Sequence, residues 1–225
     1  MRPPESGGIQ ASLEAIYKAQ RTIRDVSSKI ERSPAAAQAI QKAIGEARSH
    51  RADDERALRL VCLVRLLQNI PSPKAIDLLV DLLGDDVDDV RAAAGIVLED
   101  IGRDRSNDLR TGIGRALTSL PPDHHALREL PFVVLNVSEG DARAALVPFL
   151  KLRDAEAVAS AIEALVENAD PDAIGELNAL KEDKREVEIG DDATDETVQV
   201  TIGELARDAV DALDEIRKAI AQPDR

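Results

Sequence analysis

Aromatic residues, cysteine and methionine are nearly absent from this chain. Its 225 residues include one Tyr, two Phe and no Trp, with a single Cys and a single Met. One cysteine cannot close an internal disulfide, so a disulfide scaffold is excluded and a cysteine-based zinc site goes with it. Basic excess is also missing: 29 Lys and Arg stand against 43 Asp and Glu, for a net charge of −14. That balance disfavours phosphate backbones and anionic lipid as partners, so no nucleic acid is expected. No run of about 18 apolar residues occurs, and no membrane insertion is expected. Residues 1–8 lack an apolar signal region and read as a disordered polar tail. With the lone cysteine, this makes the cytoplasm the expected compartment.

What is present is aliphatic. Hydrophobic residues make up 44% of the chain and charged residues 32%. The core must therefore come from Leu, Ile, Val and Ala, which suits helices packed through small residues. Ile9, Ile16, Ile23 and Ile30 recur every seven residues, and Leu13 and Val26 widen the stripe. Residues 9–33 therefore read as an N-terminal helix docked as a cap on its own domain, with an oligomer seam through 9–30 as the alternative.

From residue 34 to 222 the pattern is helix, turn, helix. Ser33-Pro34 and Ser72-Pro73 are start signals, and Gly84 and Gly102 read as stops. The helix carrying Leu60, Val61, Val64 and Leu67 is apolar nearly all round, which predicts a central, buried element with Cys62 inside. Pro131 predicts a kink or split in the helix that follows Asp123. A single helix is expected over 141–152. The second helix of each pair begins near 54, 88, 124, 154 and 201, a degenerate repeat of roughly 30–45 residues. One such hairpin cannot cover its own apolar face, so neighbours must stack on it.

The stretch from Leu78 to Ala94 carries the clearest pattern: Leu82, Leu83, Asp85, Val90, Arg91, Ala93 and Ala94, with Ile101 and Gly102 closing the unit. This resembles a HEAT repeat of the bacterial type also found in bilin lyases. The resemblance implies an all-α chain, a right-handed superhelix of about five helix pairs. An Asp in the turn accepts from free helix amides and sits at the positive end of the dipole. Asp85, Asp89, Arg91 and Asp154 are accordingly read as structural turn residues, with Arg91 able to bridge neighbouring units.

Between Leu180 and Thr201 the helical period fails. Arg185–Ile189 and Thr197–Ile202 alternate polar and apolar residues around Gly190-Asp191-Asp192, which predicts a small acidic hairpin at 185–200 inserted near the C-terminus. Thr201 and Glu204 then form a capping box for the last helix.

No catalytic constellation emerges. His50, His124 and His125 read as surface or capping residues. Gly112 and Gly114 lie within a helix and read as close-packing positions rather than a dinucleotide loop. No metal and no cofactor is expected, and the chain reads as no enzyme. The function expected is a protein-binding adaptor or scaffold, using its curved helical face or the acidic insertion. Arg56, Arg59, Arg91 and Arg128 on second helices are the candidate contacts on the face, and Glu188, Asp191 and Asp192 those on the insertion. An acidic inhibitor or immunity-type protein against a basic partner is one alternative. A lyase or chaperone for a bilin or other prosthetic group is the alternative that the resemblance implies.

Overall fold

The computed structural model describes residues 6–138, 142–191 and 196–221. The described residues form eleven α-helices and one two-stranded antiparallel sheet. Helix α1 (Ser6–Glu31) comes first. The pairs α2 (Ala36–Arg48) with α3 (Asp53–Leu67), α4 (Pro73–Leu83) with α5 (Asp88–Asp104), and α6 (Ser106–Ser119) with α7 (Ala126–Val137) follow. Next is a short α8 (Arg143–Leu146) running into a 3-10 turn at Val147–Lys151, then α9 (Ala155–Glu167). The chain ends with α10 (Ile174–Asn178), β1 (Glu186–Asp191), β2 (Glu196–Thr201) and α11 (Ile202–Ala221). The class is all-α with one small hairpin. The expected tail at 1–8 falls largely outside the described residues.

Each helix forms for a local reason. In α4, Pro73 takes the first helical position, where no amide donor is needed. Its stripe of Ile76, Leu79, Val80 and Leu83 is buried. In α9, Asp154 caps the helix by accepting the Ala157 N–H at 3.0 Å. In α11, Thr201 Oγ1 accepts the Glu204 N–H at 3.1 Å, while Glu204 Oε2 accepts the Thr201 N–H at 2.8 Å, so the expected capping box is formed. Second helices pack on one another in succession: α3 on α5, α5 on α7, α7 on α9, α9 on α11. First helices lie beside them, α2 on α3, α4 on α5 and α10 on α11. One continuous, mainly aliphatic core runs from Ala36 to Leu213, with Phe149 buried in it.

Several expectations need correction. Helix α1 is not docked along the body: Ile9, Leu13, Ile16, Tyr17, Ile23 and Val26 are all exposed, and only its last turn, at Ile30, packs on the core. Helix α3 is not enclosed. It buries Leu60, Val64 and Leu67 on one face, while Leu58 and Cys62 face solvent. Apolar residues spread round the helix suggest enclosure, but the elements packed on α3 are mainly α2, α4 and α5, and its other side stays open.

Gly102 is no stop. It lies inside α5, where a Cβ would stand 2.6 Å from Val137 and 2.8 Å from Leu109. Gly84 does follow α4, with φ of −99°, so no left-handed cap is involved. The His124 ring lies against it, 2.6 Å from where a Cβ would be. Pro131 does not split its helix: α7 runs unbroken from Ala126 to Val137 with the proline inside it. The helix expected over 141–152 breaks into α8 and a 3-10 turn. Pro148 there has no N–H to donate back along an α-helix.

Candidate partner-binding groove

A series of ion pairs runs along the turns and helix ends between successive units. Arg48, the last residue of α2, donates from Nε to Asp85 at 3.0 Å and reaches Asp81 at 2.9 Å. Asp85 is the one buried charged residue in the described core, and its other oxygen accepts the Val87 N–H at 3.3 Å. Burial opposes the charge on Arg48, but the Asp81 and Asp85 carboxylates outweigh it and raise the guanidinium pKa. Arg91 donates to the Asp85 carbonyl at 2.8 Å and to Asp88 at 2.6 Å, closing the same turn. Arg128 forks onto Asp154 at 3.1 and 3.3 Å, joining α7 to the cap of α9. Arg143 does the same with Asp170 and Glu176 in the next unit.

The candidate arginines are therefore largely engaged in the fold. Arg56 lies between Asp53 and Asp86, at 3.4 and 3.9 Å. Arg59 pairs with Glu55 on the exposed side of α3. Asp89 is exposed in the first turn of α5, where its charge suits the helix dipole. The sequence gives no sign of the Arg48 and Arg143 pairs, whose partners lie 37 and 27 residues away.

An open groove lies elsewhere, between α5 and α7. On α5, Ala94 points into the core, while Ala92 and Ile96 are exposed and Gly95 carries no side chain. Phe132 of α7 forms the facing wall. The groove has a volume of about 420 Å³ and is rimmed by Glu99 and Glu129. Glu99 accepts from Asn136 at 2.8 Å and Arg103 at 3.2 Å, which fixes one rim. Ile96 is 61% exposed, and Leu58 on the neighbouring α3 is 60% exposed. Among the described residues, Arg91 is the sequence-predicted contact that lines this groove.

Comparison with protein-family models, curated proteins and solved structures found no match. The chemistry must therefore be read from the side chains. No three His, Cys, Asp or Glu residues gather into a metal site among the described residues. His124 caps by accepting the Ala126 N–H at 3.3 Å, and His125 lies 3.6 Å from Glu129. No described helix is long and apolar enough to cross a membrane. Gly112 admits α4, since a Cβ there would collide with Ile76. Gly114 faces open space and serves no such purpose.

The insertion is a regular ladder in which Val187 pairs with Val200 and Ile189 with Val198. Val187 is buried and β1 packs on α9, while Ile189 and Val198 toward the tip are exposed. Glu188 is exposed on the opposite face, across from Gln199. Asp191 ends the strand, and Asp192 lies outside the described residues. At the foot of the hairpin, Arg185 donates to Asp183 and to the carbonyls of Leu152 and Arg153, at 2.8 and 3.0 Å.

Hydrogen bonding from Arg185 holds the Asp183 carboxyl below its ordinary pKa, and the Thr201 N–H does the same for Glu204. Both groups stabilise the native state fully above their unfolded pKa values, near pH 4, and lose that contribution as pH falls through the lowered native values. Amide protection at Ile202 and Gly203, which bond the Arg185 and Asp183 carbonyls, is therefore expected to fall below about pH 4 before that of α5 and α7. Hydrogen exchange read as protection factors checks this; loss in step with the core would contradict it.

Proposed function

We propose that this chain is a non-catalytic adaptor or scaffold, a HEAT-like right-handed superhelix that holds a partner protein in the α5–α7 groove. The observation that carries the reading is the groove itself: an apolar floor and an exposed Ile96 between two acidic rims. The succession of second helices packed one on the next supports the superhelical part. The partner segment that fits has an apolar anchor flanked by Lys or Arg, because Glu99, Glu129 and the net charge of −14 favour approach of a basic chain.

The test is affinity capture from the cells that make the protein, followed by measured binding of the captured partner. Ile96→Asp removes the anchor contact on an exposed position, so stability should change by no more than about 0.5 kcal/mol. Binding should weaken by about 30-fold or more, as for a central interface residue worth 2 kcal/mol. A partner that ignores Ile96→Asp but is lost on Glu188→Lys would move the site to the insertion and overturn the groove. Capture of no protein at all would overturn the adaptor reading.

A further inference from the structure

Helix α1 extends from the body with its apolar stripe uncovered. Six side chains, from Ile9 to Val26, are 38–57% exposed, a contiguous patch of several hundred Å², more than soluble monomers usually leave open. We propose that two chains pair through α1, antiparallel, about a two-fold axis near Gln20. This surface is separate from the groove.

The stripe is palindromic. With the axis between Ala19 and Gln20, Leu13 meets Val26 of the second copy and Ile16 meets Ile23, while Ile9 faces the last turn at Ile30, which already packs on its own body. Leu13, Ile16, Ile23 and Val26, the middle of the stripe, thus find apolar counterparts in the second copy, as an isologous interface requires, while Tyr17 faces Thr22. The isoleucines recur every seven residues. A strict seven-residue repeat drifts round a straight helix and stays in register only with a partner that supercoils. A flat lipid surface offers no such compensation.

Charge fixes the direction. Residues 1–32 carry six basic and four acidic residues, so the rest of the chain carries −16. A parallel pair would set two acidic bodies side by side. An antiparallel pair holds them at opposite ends of a helix about 39 Å long, far beyond the Debye length of about 8 Å. The flanks suit close approach: Ser12 and Ala19 are small, and Lys18, Arg21 and Asp25 lie away from the seam. Two stripes together cover on the order of 1,000 Å², the lower bound for a specific interface.

The test is light scattering on the full chain across 1–200 µM. The expected mass at the top of the range is twice the 24.3 kDa of the chain. Ile16→Asp and Ile23→Asp should each hold the protein monomeric throughout, while Arg21→Ala on the opposite face leaves the dimer intact. Exposed positions are chosen so that the body folds in every variant. Spin labels at Gln10→Cys in a Cys62→Ser background report direction: roughly 30 Å between labels for the antiparallel pair, against under 15 Å for a parallel one. A wild-type monomer at 200 µM, a dimer indifferent to Ile16→Asp, or a short label distance would each overturn the proposal.

Discussion

Replacing Arg48 with alanine is expected to cost about 3 kcal/mol of folding stability, because it strands the Asp85 carboxylate. The Asp85 side chain is 2% exposed and lies in the turn between α4 and α5. It accepts from both Nε and Nη2 of Arg48 at 3.0 Å and from the Val87 N–H at 3.3 Å, with the Asp86 side chain beside it. A buried charge without its partner costs about 3–5 kcal/mol. Arg48 is 40% exposed, so water screens part of the pair and the lower end applies.

Denaturant unfolding checks this as a lowered midpoint at unchanged slope. The double variant Arg48→Met with Asp85→Leu should recover most of the loss, since apolar replacements of a buried pair are often neutral or better. A single-variant loss below about 1 kcal/mol would mean that water reaches the Asp85 carboxylate once Arg48 is gone.

Asp85 also shows what was legible beforehand. Its place in the turn follows from the spacing of the leucine run, the Asp and the Val-Arg pair, and in the turn it accepts from Arg48 and the Val87 N–H. Arg48 was not legible, because a long-range ion pair leaves no periodic trace. Element types were readable wherever the apolar period was strong, as in α4, α5 and α9. The β ladder and the capping box at Thr201 and Glu204 were readable for the same reason, since both are local.

The errors arose where burial depends on neighbours rather than on pattern. Helix α3 and Cys62 read as enclosed, but α3 stands at the start of the stack with one side open. The heptad face of α1 reads the same whether it docks or projects. The groove at Ile96 escaped notice because an exposed isoleucine looks like any other member of a helical stripe. Gly102 read as a stop because glycine near a helix end has two uses, and only the packing of Val137 and Leu109 tells which one applies.

Glycines give the sharpest remaining contrast. Gly203→Ala is expected to destabilise the protein by about 2–3 kcal/mol, while Gly114→Ala, the same chemical change, should stabilise it by about 0.5–1 kcal/mol. Gly203 is the second residue of α11, where a Cβ would stand 2.6 Å from the Lys181 carbonyl oxygen and 2.9 Å from that of Asp183. Both obstacles are backbone, so no rotamer change relieves them. Nor can α11 slide away: the Gly203 N–H is bonded to Asp183 at 2.9 Å, and Ile202 and Ala206 are fully buried. The relief available is release of the hairpin foot, and Ile202 and Gly203 amides should lose protection first. Gly114 is exposed on α6 with nothing within 4 Å of its added Cβ, so alanine there only improves helix propensity. Paired melts of the two variants decide the matter. Equal shifts would mean that the approach of Lys181 and Asp183 to α11 is slack, and that Arg185 and the packing of Val187 against α9 anchor the insertion instead.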